Sequence, residues 1–345
     1  MTADQPALEV AALTGALTDP SARFRVRQLI APLAPLGVSV TDLPSTAGRY
    51  PPPGRWRRPV WLAEAGLDAA RRALRSRSFD AVILQRELVS TLPTFEWATG
   101  TPRILDVDDA IHLRQRLRSA DRIARGAAAI FCGNEHLAEY FDRFASTVVV
   151  PTVVDTARYA PPDDRAGSSG EAPIIGWIGT SSNLPELERI AAPLERVLST
   201  RPDVRLHVVS NRPDAWSLAA HPSVVEIPWS ADSEIDLIRS FDVGLMPLAD
   251  TPWTRGKCGF KLITYLACGR AAVASPVGVN RTILDSDQQL LPDSDERWVE
   301  AILNLIDDPD RRRDVGRRGR NRIVSEYSVE AVAPRIASTI RSVTN

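Results

Sequence analysis

The chain has 345 residues, 44% of them hydrophobic and 25% charged, with a formal net charge of −1. This is a globular composition that excludes a disordered or membrane-embedded chain, and it supplies no overall field toward nucleic acid. The length suits two domains of ordinary size.

The N-terminal residues lack a basic stretch followed by an apolar core, so no secretory leader is expected. No apolar run approaches the roughly 18 residues of a spanning helix. Cys132, Cys258 and Cys268 are odd in number and widely spaced, as free thiols in a reducing compartment are, so the cytoplasm is the expected location.

Short apolar runs alternate with helical patterns in chain order, the signature of parallel βαβ units. Strands are predicted at Leu8–Ala12, Val38–Val40, Ala81–Leu84, Arg103–Asp106, Ala128–Phe131 and Thr147–Val150, with helices over Arg23–Ala34 and Trp61–Arg75. The stretch Tyr50–Arg58 is proline-rich and basic and carries Trp56. It reads either as an exposed loop or as an acceptor or membrane-surface contact in which Trp56 and the arginines meet anionic headgroups. Asp106-Val-Asp-Asp109 follows a strand end that faces the cleft, and Asp109 can cap a helix over Ile111–Leu117.

Pro161–Gly170 is rich in turn formers and is the best linker. The second half repeats the scheme with strands at Ile174–Ile178, Val204–Val209, Val224–Ile227, Val243–Met246, Ala271–Ala274 and Gln289–Leu291. Gly179 and Thr180 lie at a strand-to-helix turn where backbone can approach a pyrophosphate, and Arg212 follows the next strand as either a surface residue or a ligand. The arginine-rich stretch Arg311–Arg322 reads as a solvated helix face. The expected domains are 1–160 and 161–325, with 326–345 a C-terminal helix packing back on the first. The fold class is α/β, two doubly wound Rossmann-like domains facing a central cleft.

Two lysines stand against 40 arginines, and both lysines, Lys257 and Lys261, fall within five residues. A helix is expected from near Gly259 to the terminating Gly269. Cations at a helix N-terminus oppose its dipole, so the pair calls for an anion on the free N–H groups of Gly259 and Phe260, and phosphate is the usual one. If the first turn reaches both lysines, they share one face.

Phe241–Leu248, the Gly-Lys-Cys-Gly-Phe-Lys block, Tyr265–Gly269 and Val273–Gly278 together resemble the retaining glycosyltransferases of family 4, which have the GT-B fold. The resemblance runs from Ile174 to about Tyr327, with weaker matches at Arg23–Val26, Asp106–Asp109, Gly133-Asn134 and Pro151–Asp155. It implies a nucleoside-diphosphate sugar held mainly by the second domain, an acceptor (glycan, lipid-linked or small molecule) on the first, with Asp109 orienting its hydroxyl and His112 as the cleft histidine among the catalytic candidates, and transfer with retention. Most members carry two glutamates in this segment, where this chain has Gly256 and Thr264. The Lys-x-x-x-Lys form of a variant branch stands in their place, and Thr264 is carried over as a donor-site position. With lysines neutralising the leaving diphosphate, no metal is expected and no other cofactor. His112, His136, His207 and His221 show no ligand spacing. The rival readings are a sugar-nucleotide epimerase of the same fold and a non-catalytic nucleotide-sugar-binding subunit.

Overall fold

The computed structural model describes residues 7–114, 117–162, 172–212, 216–284 and 287–345. From residue 163 on, the expected linker Pro161–Gly170 lies outside the described residues. The chain divides into two compact units, one of residues 1–153, 256–258 and 329–345, the other of residues 154–255 and 259–328.

The first unit is built on six strands: β1 (Leu8–Thr14), β2 (Val38–Pro44), β3 (Ala81–Gln85), β4 (Arg103–Val107), β5 (Ala129–Cys132) and β6 (Thr147–Val149). They pair in the order β2-β1-β3-β4-β5-β6, every pair parallel. β3 is buried at every position while edge strand β2 is mostly half-exposed. Strands covered by helices on both faces read as continuous apolar runs, which is why Ala81-Val-Ile-Leu84 was conspicuous in the sequence. The helix Val329–Thr344 belongs to this unit. Its Val329, Val332, Ala333, Ile336, Ala337 and Ile340 repeat at helical spacing and join Val10, Ala12, Ile83 and Ile104 in one core.

The second unit carries β7 (Ile174–Ile178), β8 (Arg205–Ser210), β9 (Val224–Pro228), β10 (Val243–Met246) and β11 (Ala271–Ala274). Their order is β11-β10-β7-β8-β9, again all parallel. Gly244 of β10 is fixed by packing, because a Cβ there would stand 2.4 Å from the Tyr265 ring.

Three expected elements differ. Gln289–Leu291 is no strand; Gln288–Leu290 forms a 3-10 turn in which the Asp287 carboxylate accepts from the Gln289 N–H, a local bond that competes with strand formation. The helix over Arg23–Ala34 is broken into Pro20–Arg25, a 3-10 turn and Ile30–Leu33, with Val26 leaving the helical region at φ −128°. Ile111–Arg114 is a 3-10 turn, not the start of an α-helix.

Candidate functional site

In an open parallel sheet, ligands bind outside the carboxyl ends of the strands where the strand order reverses. In the second unit that point lies between β7 and β10. β7 ends at Ile178 and is followed by Gly179, Thr180 and Ser181. The helix Phe260–Ala267 stands over this point, anchored by Tyr265. The Tyr265 hydroxyl accepts the Ile178 N–H at 3.1 Å and donates to the Leu245 carbonyl at 3.4 Å, bridging both strands. The helix ends in a Schellman motif: Gly269, at φ +70°, donates to Leu266 O and Arg270 donates to Tyr265 O.

This anchorage delivers Lys261 to the end of β7. Its ammonium lies 5.5 Å from the centroid of the Trp177 ring, and its Cε would be 2.9 Å from a Cβ on Gly179. Glycine at 179 is therefore what lets the lysine approach the backbone. Beyond it, the Ser181 N–H donates to Asn211 Oδ1 at 2.8 Å and Arg212 Nε donates to Ser181 Oγ at 3.0 Å. Thr180 Oγ1 lies 2.9 Å from Ser182 Oγ, and both are exposed. Beside this loop a cavity of about 150 Å³ is lined by Leu184, Val208, Ile227 and Pro228, with Ser210, Arg212 and Glu226 as its polar groups. The buried Ser210 hydroxyl has no hydrogen-bond partner among the described residues. A largely apolar slot with a few polar groups is the usual character of a small-molecule site.

The two lysines do not share a helical face. Gly259 takes φ +67° and the helix begins at Phe260, so Lys257 lies outside it. The glycine is required there: a Cβ would come within 2.8 Å of Ile283 Cδ1 and 3.0 Å of Val279 Cγ2. The first turn carries no acidic residue and no side-chain cap bond from Gly259. Lys257 belongs to the first unit, where its carbonyl accepts from Asn134 Nδ2 at 3.1 Å.

The positions of the two missing glutamates are closed by packing. Gly256 also belongs to the first unit, and a Cβ on it would lie 2.7 Å from Ala110 Cβ and 2.9 Å from Ala110 N. Thr264 is buried, and its hydroxyl donates back to Lys261 O at 2.8 Å. The departure from the usual pattern is thus built into the backbone approach at Gly256 and into the burial of the side chain at Thr264.

In the first unit the strand order reverses between β1 and β3, and the residues after those strands form a polar network. Gln85 accepts from the Gly15 N–H at 3.2 Å and from Arg49 Nη2 at 2.8 Å, and it donates to Ser21 Oγ at 2.6 Å. Ser21 in turn donates to Asp108, and Arg86 grips Asp108 through Nε and Asp109 through Nη2, the latter at 2.8 Å. Arg86 does this from a left-handed backbone, φ +59°, a conformation rare outside glycine and frequent at sites that hold a group in place. Beneath them Arg25 pairs with Asp106 and donates to Val150 O, a fully buried ion pair.

The two neighbouring carboxyls are driven apart electrostatically. Burial raises the pKa of Asp108, but the Arg86 guanidinium and the Ser21 hydroxyl outweigh it and hold the group well below the usual carboxylate range. Burial raises Asp109 as well, and Asp108 adds to it; Arg86 and Lys257 only partly offset them, so Asp109 ends above its ordinary value. A carboxylate with raised basicity beside a fixed anion is the arrangement that separates a proton acceptor from a structural charge. Asp109 caps no helix, because its side chain is turned to Arg86.

His112 stacks on Tyr140, ring centroids 3.6 Å apart at 15°, with Phe141 edge-on at 5.7 Å. Burial pulls its pKa down to about 4, so the ring is neutral at pH 7. No group of three or more His, Cys, Asp or Glu side chains is placed to hold a metal among the described residues.

Sequence reading missed Ser21, Gln85, Arg86 and Arg49, because arginine and glutamine after a strand carry no motif. The strand order is the signal that would have found them. It also missed Ser181 and the anchoring role of Tyr265.

Residues 172–308 match the family described as Glycosyl transferases group 1. Among curated proteins, the chain is 29% identical over 216 residues to the D-inositol 3-phosphate glycosyltransferase of Kineococcus radiotolerans, covering 52% of this chain and 48% of that protein. It is 25% identical over 227 residues to the alpha-maltose-1-phosphate synthase of Mycolicibacterium smegmatis, covering 56% of each. The chain therefore spans about half the length of these relatives. Among solved structures, Anabaena HepE in complex with UDP and glucose superposes with a TM-score of 0.67 at 14% identity, over 97% of this chain and 100% of that one. A UDP-forming trehalose-phosphate synthase from Burkholderia xenovorans gives 0.66 at 11% identity, over 97% and 99%. Residues 172–308 thus carry a glycosyl transferases group 1 match, and the chain has the fold of the GT-B glycosyltransferases.

Proposed function

We propose that this protein is a hexosyltransferase that moves a sugar from a nucleoside-diphosphate donor to a glycan or lipid-linked acceptor with retention, as a variant of family 4. The observation that carries the reading is Lys261, held over Trp177 against Gly179 at the point where the strand order of the second unit reverses. The donor diphosphate lies against Gly179, Thr180, Lys261 and the helix start at Gly259 and Phe260, with Arg212 and the slot at the base. A cation and fixed dipoles aimed at the departing diphosphate favour the transition state, where that charge is largest. No metal is required for that neutralisation.

Lys257 is assigned to the acceptor side, since its charge acts on Asp109 in the first unit. Asp109 accepts a hydrogen bond from the acceptor hydroxyl, while Asp108 and Arg86 keep it in place. The slot admits a planar base of either class, and HepE is described with the pyrimidine nucleotide UDP, so uridine and guanosine donors are both to be screened.

The test is incubation with labelled UDP- and GDP-hexoses and a panel of acceptors. Transfer or slow donor hydrolysis supports the assignment, and epimerised donor refutes it. A second reading, a nucleotide-sugar-binding subunit without turnover, is favoured by the closed packing at Gly256 and Thr264. Tight nucleotide binding without hydrolysis or transfer would establish it.

A further inference from the structure

The helix Arg58–Arg75 turns an apolar face outward. Its buried residues are Ala65, Ala69, Arg72 and Ala73. Val60, Leu67 and Leu74 are spaced seven apart and so share the opposite face, where they are 63%, 53% and 57% exposed. Ala63 and Ala70 fall on the same stripe. Trp56, 82% exposed, extends it from the 3-10 turn Arg55–Arg57 just ahead of the helix, with the Arg57 guanidinium 5.7 Å from its ring.

The charges around this stripe are mostly positive. Arg55, Arg57, Arg58, Arg71 and Arg75 are exposed, and no acidic residue occurs from Tyr50 to Ala63. Of the two acids in the helix, Asp68 is engaged by Arg72, Ser45 and Thr46, leaving Glu64. The helix also begins without a side-chain cap and without an acid in its first turn, so the positive end of its dipole adds to three guanidiniums.

We propose that this helix is an interfacial anchor that lies on a bilayer bearing anionic headgroups, with Trp56, Val60, Leu67 and Leu74 in the headgroup–acyl boundary. A second copy of the chain is the poorer occupant. Laid stripe to stripe in parallel, two such helices set arginine against arginine; laid antiparallel, they bring Arg55–Arg58 against Arg71 and Arg75. An anionic surface answers every one of those charges. The inference is independent of the reaction proposed above.

The experiment is sedimentation of the full chain with sucrose-loaded vesicles of phosphatidylcholine alone and of phosphatidylcholine mixed with phosphatidylglycerol. The protein is expected to pellet only with the anionic vesicles and to be released as salt is raised. Arg55→Gln, Arg57→Gln and Arg58→Gln should each weaken partitioning by about fivefold. Leu67→Glu with Leu74→Glu should abolish it while leaving the thermal midpoint unchanged, since these side chains lie outside the core. Absence of binding to anionic vesicles, or equal binding by all variants, overturns the proposal. So does a concentration-dependent dimer that Leu67→Glu dissociates, which would give the face to a second copy.

Discussion

Gly256 is the sharpest test of why this site departs from the usual pattern. A Cβ there would stand 2.7 Å from Ala110 Cβ, about 1 Å inside the roughly 3.5–4.0 Å of a normal carbon contact. It would also stand 2.9 Å from Ala110 N, so the clash is with backbone and no flexible side chain can yield. Overpacking of this kind costs about 1–3 kcal/mol, which lowers the melting midpoint of a domain of this size by roughly 2–12 °C. Gly256→Ala should therefore lose several degrees by calorimetry, and Gly256→Glu, which restores the usual residue, should lose more and gain no activity. Gly66, inside the helix Arg58–Arg75 with no atom within 4 Å of its added Cβ, is the control. Gly66→Ala should raise stability by about 0.5–1 kcal/mol. A Gly256→Ala protein melting within a degree of the parent would refute the packing argument.

The remaining predictions concern the first unit. Arg86→Met removes the guanidinium that grips two largely buried carboxyls, and by urea unfolding it should cost about 3–5 kcal/mol, with Arg86→Lys retaining part of that. His112 has its folded-state pKa lowered from 6.5 to about 4, so the unfolded chain binds the extra proton between those values and stability falls as pH drops through them. The full shift corresponds to about 3 kcal/mol; for a ring that is partly exposed, about 1–1.5 kcal/mol is the fair expectation, and His112→Phe should flatten that limb of the pH–stability curve. For activity, Asp109 must be ionised to accept a proton. Its raised pKa should place an acid limb on the pH–rate profile that Asp109→Asn removes.

The strands were legible because parallel sheets covered on both faces write themselves as unbroken apolar runs. Eleven of twelve expected strands stand, and the twelfth, Gln289–Leu291, fell to a side-chain bond of Asp287 that no hydrophobic pattern records. The helix end at Gly269 was legible from a terminating glycine, and the close approach of Lys261 to Gly179 was foreshadowed by two rare residue choices. The separation of Lys257 from the helix was not legible. It depends on the left-handed backbone of Gly259, where Val279 and Ile283 from a later helix leave no room for a Cβ. The Gln85–Ser21–Asp108–Arg86 network was equally hidden, because its members meet only through the strand order. The outward stripe of Arg58–Arg75 was invisible for a further reason: periodicity reveals that a helix is amphipathic, and only the structure shows which face is buried.

The account rests on Lys261 as the cation of a diphosphate site, and titration calorimetry with a nucleoside diphosphate tests this most directly. Lys261→Met removes a charge-assisted contact of about 1.5–3 kcal/mol, so affinity should fall roughly 10- to 100-fold with the thermal midpoint unchanged. Lys257→Met should weaken it less. An unaltered affinity in the folded Lys261→Met protein would contradict the account.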